Sequence, residues 1–343
     1  MNKEKNVSWD ILSKYRGEIY GLTIIWIMLL HGSILDKVHF SPQFEWLYII
    51  LKHGNVGVDI FLFLSGIGLY YSFQKNTSLY EYMKKRLLRI LLPYGIIAGV
   101  LFGYYYLYLQ GDKKQFFMKF TTQNLWFQKD HMIWYVNMIL LCYFIYPYIY
   151  ASFFERKENR VWLRCGLLVA ATIVFTLLFE KAAPKTVANL EIVLTRLPIF
   201  FLGSAWGRLV YEKRKLPLWG IILSYLLVIT SYPIFKRTLI VGIPQRYYYA
   251  ILAIALCVVF ATICSVLSFV WLRKILCFFG GISFELYLIH IISRHIFMHS
   301  AYYTGNVWYR WLLMLPFFVL AAWLVSLIEK GTIRLFSDKK CKQ

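Results

Sequence analysis

The sequence predicts an all-α protein, a polytopic membrane helical bundle of about ten transmembrane helices. Hydrophobic residues make up 59% of the 343 residues and charged residues only 16%, with a mean hydropathy of +0.56. Ten long apolar stretches alternate with short connections, so no separate soluble domain fits between them. The predicted spans cover residues 19–35, 54–73, 90–109, 132–152, 162–179, 192–207, 216–233, 247–268, 276–297 and 307–329.

The distribution of basic residues predicts the orientation of the bundle. A cytoplasmic N-terminus puts about twice as many Lys and Arg residues on the cytoplasmic side as on the other side, as the positive-inside rule requires. The chain is then a cytoplasmic tail at residues 1–18, a membrane domain at 19–329 and a basic cytoplasmic tail at 330–343. The net charge of +21 is therefore a topology signal, which argues against nucleic acid as a partner and for the lipid bilayer.

The first span is expected to stay in the membrane as a helix. Asp10 and Glu18 precede it, and it ends in Leu-Leu-His-Gly rather than in a small-residue cleavage site. The six cysteines form no C-x-x-C pair, so the sequence indicates neither a disulfide framework nor a thiolate metal site, and no metal is expected. Ionisable residues inside the spans are more informative, because each is costly unless it faces protein or water.

His31 lies near the far end of the first span, about 20 Å along the helix from Glu18 at its near end. A neutral histidine at that depth can take a proton from a hydroxyl, which is the role of a general base in acyl transfer. The alternative is a packed histidine bonded to a neighbouring helix, and taken alone the residue favours this simpler role.

A glycine-rich block at residues 53–69 carries Asp59 and Ser65 on the second span. Its small residues allow close helix approach. Asp59 enters the membrane at a depth similar to that of His31, so we expect it to orient the imidazole and stabilise its cation, as the carboxylate of a hydrolase triad does. A capping or helix-pairing aspartate is an equal alternative.

Arg86 and Arg89 lie three residues apart at the start of the third span, so they share a helix face at the cytoplasmic interface. Guanidinium groups suit phosphates, and an acyl-coenzyme A donor carries several. On charge alone, however, such a cluster is better explained as the ordinary inner-face topology signal.

Polar residues on three later spans are further candidates. His131, Trp134 and Tyr135 open the fourth span, where interfacial aromatics are expected in any case. Arg196 enters the sixth span and needs an anionic or carbonyl partner, for which a structural pairing serves as well as a substrate contact.

On the ninth span, Tyr287, His290 and Arg294 share one helical stripe, with Glu285 near the inner end. Such a row of polar side chains is typical of residues that line a pore or a substrate site. Packed hydrogen bonds between helices would produce the same pattern, so both explanations stay open.

Together these segments resemble the acyltransferase 3 family of integral membrane acyltransferases, in the same order and over nearly the whole chain. Each motif alone is weak evidence for the family. The resemblance rests on six motifs that occur in the same order across ten spans. The matching motifs are His31 in the first span, Gly57-Val-Asp59-x-Phe-x-x-x-Ser65-Gly66, Arg86-x-x-Arg89 before Pro93-Tyr94, His131-x-x-Trp134-Tyr135, Arg196-x-Pro198-x-x-x-x-Gly203 and Ile282-Ser-Phe-Glu285-Leu-Tyr287-Leu-Ile-His290.

The resemblance implies an O-acetyltransferase-like enzyme with a cytoplasmic acyl-coenzyme A donor and an extracytoplasmic carbohydrate acceptor. Arg86 and Arg89 fall on the donor side, whereas His31 and Asp59 fall towards the acceptor side. In one departure, Tyr20 occupies the position eleven residues before the histidine, where the family commonly has Arg or Lys. Arg16, one helical turn earlier, is the substitute expected from the same face.

The preferred hypothesis is therefore transfer of acetyl, or a similar short acyl group, to a hydroxyl of a cell-envelope carbohydrate, with His31 as general base, in a bacterial plasma membrane. A polytopic transporter or exporter of a small envelope-related solute is the alternative, and a scaffold in an envelope-assembly complex is a third. The sequence identifies neither the acceptor, nor acetyl against succinyl, nor the effect of Tyr20. It leaves homo-oligomers and envelope-assembly partners open.

Overall fold

The computed structural model of the chain describes residues 7–36, 41–75, 78–127, 130–155, 160–299 and 308–338. These residues are 87% helical and form no strand. The helices are α1 (Ile11–Lys14), α2 (Arg16–Asp36), α3 (Glu45–Lys52), α4 (Val56–Lys75), α5 (Leu79–Phe102), α6 (Lys113–Phe120), α7 (Gln123–Phe127), α8 (Trp134–Tyr150), α9 (Val161–Ala182), α10 (Pro184–Leu194), α11 (Leu197–Tyr211), α12 (Leu218–Lys236), α13 (Gly242–Val266), α14 (Val270–Gly281), α15 (Ser283–Met298) and α16 (Trp308–Asp338).

The predicted membrane bundle is confirmed. Eight helical segments in the described part of the chain are long and apolar enough to cross a membrane, or up to nine if the bent pair α14–α15 counts as one span. The first predicted span coincides with α2, whose side chains are described as far as Gly32. The orientation of the termini stays a prediction.

The ninth predicted span is bent rather than continuous. Helices α14 and α15 meet at an angle of 64° across Ile282, directly after Gly280 and Gly281. Two adjacent glycines weaken a helix because they lose the most backbone entropy on ordering. The bend turns the first residues of α15, Ser283 and Phe284, towards α2 and α5.

Two pairs of helices pack at backbone contact, α4 against α11 and α2 against α14. A Cβ on Gly203 of α11 would overlap the carbonyl of Phe63 on α4, and a Cβ on Gly280 would overlap the carbonyl of Gly17 on α2. Small residues allow this approach, and helix pairs in membranes gain dispersion energy from it. The packing holds α2 and α4 in place beside the centre of the bundle.

Helix α5 is held less tightly. It carries Pro93 in its interior, and a Cβ added to Gly95 would meet no atom within 4 Å. Beyond Phe102 the chain continues as a π-helical segment, Gly103–Leu109. An interior proline removes one backbone hydrogen bond, so α5 has a weaker internal restraint at Pro93 than a helix without an interior proline, such as α2 or α4.

Outside the membrane-spanning segments, Lys119 and Asp130 form an ion pair just before α8. Burial on its own raises the pKa of the Asp130 carboxyl, but the hydrogen bond and positive charge of Lys119 outweigh burial and hold that pKa below its usual range. The pair ties the short helix α6 to the entry of α8.

Candidate active site

A cavity of about 390 Å³, named the main cavity here, lies between α2, α4, α5, α8 and the start of α15. On α4 it is lined from Val58 to Lys75, which is about 25 Å along a helix axis. Seven of the predicted site residues line it: Arg16, Tyr20, Ser65, Arg86, Arg89, Tyr135 and Tyr287. The structure therefore gathers residues from five separate sequence segments around one long, narrow space.

One end of the main cavity is strongly basic. Arg16, Lys75, Lys85, Arg86 and Arg89 line this end, and no described carboxylate lines any part of the cavity. Arg86 also lies over the ring of a cavity tyrosine, with 5.8 Å from its guanidinium carbon to the ring centroid. Five cations without a described counter-charge in the lining give this end a positive charge that suits anionic groups such as phosphates.

Tyr20 and Arg16 lie on the same stripe of α2 and both line the main cavity. The Tyr20 ring stacks on Phe61 at 4.9 Å between centroids. Arg16 reaches across to α4, where its Nη1 would be 2.7 Å from a Cβ on Gly68. Arg16 thus places a positive charge in the same wall of the main cavity as Tyr20, as the sequence predicted.

The opposite end of the main cavity closes at Ile27, Val58 and Tyr287. Tyr287 donates a hydrogen bond of 3.4 Å to the carbonyl of Met132. On α2 the lining residues Tyr20, Ile24 and Ile27 continue directly to His31, one turn further on the same stripe. The cavity therefore runs from the basic end to within one helical turn of His31.

His31 forms a pair with His290 of α15. The His31 Nδ1 and the His290 Nε2 are 2.8 Å apart, and the His290 Nδ1 is 2.6 Å from the carbonyl oxygen of Leu286. Because that carbonyl only accepts, His290 donates through Nδ1, and its Nε2 accepts the Nδ1–H of His31. The hydrogen-bond network thus assigns a tautomer in which the Nε2 of His31 keeps its lone pair.

Trp311 of α16 packs beside this histidine pair. Its Nε1–H donates to the carbonyl of Met28 at 3.1 Å, and its ring meets the His290 ring edge-on at 6.4 Å. His290 and Trp311 are buried, whereas His31 is partly exposed. A neutral imidazole with a fixed orientation, whose Nε2 has no hydrogen-bond partner among the described residues, can accept a proton from a substrate hydroxyl.

The structure corrects the predicted pairing of Asp59 with His31. Asp59 faces α11, where its Oδ1 is 3.6 Å from the Nε of Arg196, and both side chains are almost completely buried. Arg196 also lies 4.7 Å from the ring centroid of Trp134. Asp59 is one turn from Phe63, whose carbonyl packs on Gly203, so the glycine contact that joins α4 to α11 also turns the carboxylate away from α2.

The other predicted polar residues lie outside the main cavity with partners of their own. Glu18 pairs with Arg273 at 3.1 Å. Glu285 shares a hydrogen bond with the carboxyl of Glu329. The Nε2–H of His131 donates to the carbonyl of Asn189 at 3.1 Å. Together with Trp134 and Arg196, these residues join helices rather than line the main cavity.

Sequence reasoning missed two cavity cations and one aromatic residue. Lys85 stands directly before Arg86, so the basic run itself could have indicated it, whereas Lys75 ends α4 without a signal. Trp311 could not be assigned because its contact with Met28 joins residues 283 positions apart.

A comparison with known families matches the chain to a family of acyltransferases. The model of the family described as an acyltransferase domain matches residues 21–328, nearly the whole chain. Tyr20 and Arg16 fall just before the matched region, while the His31–His290 pair falls within it. No curated protein and no solved structure matches the chain.

Proposed function

Since this chain belongs to the acyltransferase 3 family and is a multi-pass membrane acyltransferase, we propose that it moves an acetyl or similar short acyl group from acyl-coenzyme A to a hydroxyl of a cell-envelope carbohydrate. One observation carries this proposal. The main cavity joins five cations at one end to the neighbourhood of His31 at the other, and the hydrogen bond of this histidine to His290 leaves the lone pair on its Nε2. That arrangement suits a donor with phosphates at one end and a reactive thioester at the end of a long arm.

The donor would bind with its phosphates among Arg86, Arg89 and Arg16 and with its arm along α4. The arm then runs past Ser65 and Tyr135, and the thioester lies near Ile27 and Tyr287, at the His31 end. Tyrosine and apolar side chains line the middle of the cavity, which fits an uncharged amide-containing chain better than a second anion.

His31 acts as the general base in this proposal. Its Nε2 takes the proton of the acceptor hydroxyl while the hydroxyl oxygen attacks the thioester carbonyl carbon. The carbon–sulfur bond breaks as the new ester forms, and the thiolate takes the proton back from His31 and leaves as coenzyme A thiol. His290 holds the His31 ring in orientation through the 2.8 Å hydrogen bond, which is a positioning role.

The charge distribution of the sequence supports a direction for the reaction. The basic end of the main cavity lies on the side that carries the excess of Lys and Arg in the connections, which is the cytoplasmic side by the positive-inside rule. The His31 end then faces the extracytoplasmic side of a bacterial plasma membrane. Donor and acceptor reach the site from opposite sides.

Donor binding and turnover by detergent-purified protein test the proposal. Arg86→Ala removes a cavity cation, and Lys84→Ala is the matched control, since Lys84 lies on the same helix but outside the cavity. We expect Arg86→Ala to weaken acetyl-coenzyme A binding by roughly 10- to 100-fold, because a hydrogen bond to a charged group contributes about 1.5–3 kcal/mol. Lys84→Ala should bind as the wild type does.

His31→Ala should still bind the donor but lose transfer and hydrolysis, whereas His299→Ala should keep both, since His299 is an exposed histidine at the end of α15. Normal transfer by His31→Ala would refute the general base. Absence of donor binding by the wild type would refute the donor assignment and favour a transporter.

A further inference from the structure

A second cavity, named the lateral groove here, lies between α2, α14 and α16 and has a volume of about 620 Å³. It is lined from Ile25 to Leu29 on α2, by Phe278 and Phe279 on α14, and from Leu312 to Trp323 on α16. All eleven lining residues are apolar. On α16 the groove extends about 16 Å along the helix axis, so it is long enough for an extended hydrocarbon chain.

The lateral groove opens sideways, towards the bilayer. Leu312, Leu320, Trp323 and Phe278 are 40–52% exposed, and they belong to segments that are apolar and long enough to cross a membrane. Pro316 lies in the middle of the α16 wall. Since the surrounding medium at this depth is hydrocarbon, only an apolar chain can fill the groove without an unpaired polar group.

The lateral groove and the main cavity flank α2 and converge on His31. Ile27 lines the main cavity and Met28 lines the lateral groove. His31 follows Ile27 by four residues and Met28 by three, so it lies one turn above both on the helix surface. Trp311, bonded to the Met28 carbonyl, separates the groove from His290.

We propose that the acceptor is a lipid-linked hydroxyl compound whose hydrocarbon tail lies in the lateral groove while its head group reaches His31. This inference rests on the proposed function and specifies the acceptor for the same site. The donor occupies the flank of α2 that carries Ile27, so the acceptor approaches from the flank that carries Met28. A tail held in the groove places the hydroxyl beside the Nε2 of His31 and removes the entropy cost of a bimolecular encounter.

The position of the groove favours an acceptor tail over an ordinary bilayer phospholipid. A phospholipid chain needs only an apolar surface, which α9 and α12 offer along most of their lengths. The lateral groove is instead a cavity with walls from three helices, and its lining residue Met28 accepts, through its carbonyl, the hydrogen bond of Trp311 beside the His31–His290 pair.

Photo-crosslinking tests the occupant directly. The probe is hexadecyl glucoside with a diazirine in mid-chain, added to the full-length protein in phospholipid nanodiscs. We expect labelled residues to concentrate within 25–29 and 312–323, and unlabelled hexadecyl glucoside to suppress this labelling while an equal amount of added phospholipid leaves it. Even labelling of α9, α12 and α16, or equal suppression by phospholipid, would overturn the inference.

A variant pair tests the link to catalysis. Leu312→Trp fills the groove, and Leu313→Trp is the matched control, since Leu313 is on the same helix, is 66% exposed and does not line the groove. We expect Leu312→Trp to reduce groove labelling at least tenfold and Leu313→Trp to leave it unchanged, with donor binding normal in both. Equal labelling of the two variants would contradict the groove as the tail site.

Acetyl-coenzyme A hydrolysis, measured in the same samples, distinguishes a failure of the lipid-linked acceptor from a failure of the proposed function. Hydrolysis that depends on His31 without groove labelling would overturn the lipid-linked acceptor and leave the proposed function standing. Groove labelling in a protein that does not bind acetyl-coenzyme A would overturn the proposed function and, with it, the acceptor role of the groove.

Discussion

The ion pair between Asp59 and Arg196 allows a decisive test of how this site is built. We expect Asp59→Asn to destabilise the fold but to leave turnover per folded molecule close to that of the wild type. The carboxylate faces Arg196 at 3.6 Å and makes no hydrogen bond with His31. If a carboxylate oriented a catalytic histidine, changing it to the amide would instead lower kcat by about 10⁴-fold.

The size of the destabilisation follows from the geometry. At 3.6 Å and an effective dielectric constant of about 20, two unit charges attract each other by about 5 kcal/mol. Removing one partner of a buried pair leaves the other charge uncompensated, which costs about 3–5 kcal/mol in the free energy of unfolding. Asn keeps a dipole beside Arg196, so we expect the lower part of that range, about 3 kcal/mol.

Equilibrium unfolding in mixed micelles, followed by tryptophan fluorescence, measures this loss. The double variant Asp59→Leu, Arg196→Met is the control, because an apolar pair of similar volume is expected to be more stable than the single Asp59→Asn variant. Unchanged stability of Asp59→Asn would refute the ion pair, and loss of turnover by a stable Asp59→Asn protein would restore the predicted catalytic carboxylate.

Three further predictions follow from other contacts. His290→Ala should lower kcat by about 10²–10⁴-fold without a change in donor affinity, because the His31 ring loses its orientation; steady-state kinetics with separate donor binding measures this. Gly203→Ala should destabilise the fold by about 1–3 kcal/mol, whereas Gly95→Ala should be neutral or stabilise by up to about 1 kcal/mol, as thermal unfolding will report. Because the pKa of Asp130 is lowered in the folded state, its contribution to stability is complete above the usual carboxyl value of 3.8 and is lost as pH falls through the lower folded value. Lys119→Met should reduce this acid loss in unfolding measured against pH, while the backbone hydrogen bond from Met132 remains.

Each of these predictions has an opposing result. A normal kcat for His290→Ala would refute the positioning role of His290, and equal effects of the two glycine variants would refute backbone contact at the α4–α11 pair. An unchanged acid limb in Lys119→Met would mean that Lys119 does not set the pKa of Asp130.

The sequence predicted the bundle because hydrophobic length is a local property that each span displays by itself. It also named seven of the residues that line the main cavity, and residues four apart on α2, such as Arg16 and Tyr20, must share a face. The grouping of Arg86 and Arg89 at the basic end was predictable for the same reason.

The partners of the buried polar groups were not predictable, because they depend on which helices are neighbours. His31 meets His290, 259 residues away, and Asp59 meets Arg196 through a glycine contact between α4 and α11. Similar depth in the membrane suggested that Asp59 and His31 would meet, but depth does not determine which direction a residue faces around its helix. The single sequence contains no signal for that angle.

The looser packing of α5 has a consequence for the speed of the enzyme. Helices α2 and α4 are held by backbone contacts with their neighbours, whereas α5 has Pro93 in its interior and open space at Gly95. Under the proposed function, we therefore expect the cavity mouth to widen by movement of α5, which would let the donor enter and the spent thiol leave. A stiffer α5 would slow the catalytic cycle through product release, even with every group around His31 intact.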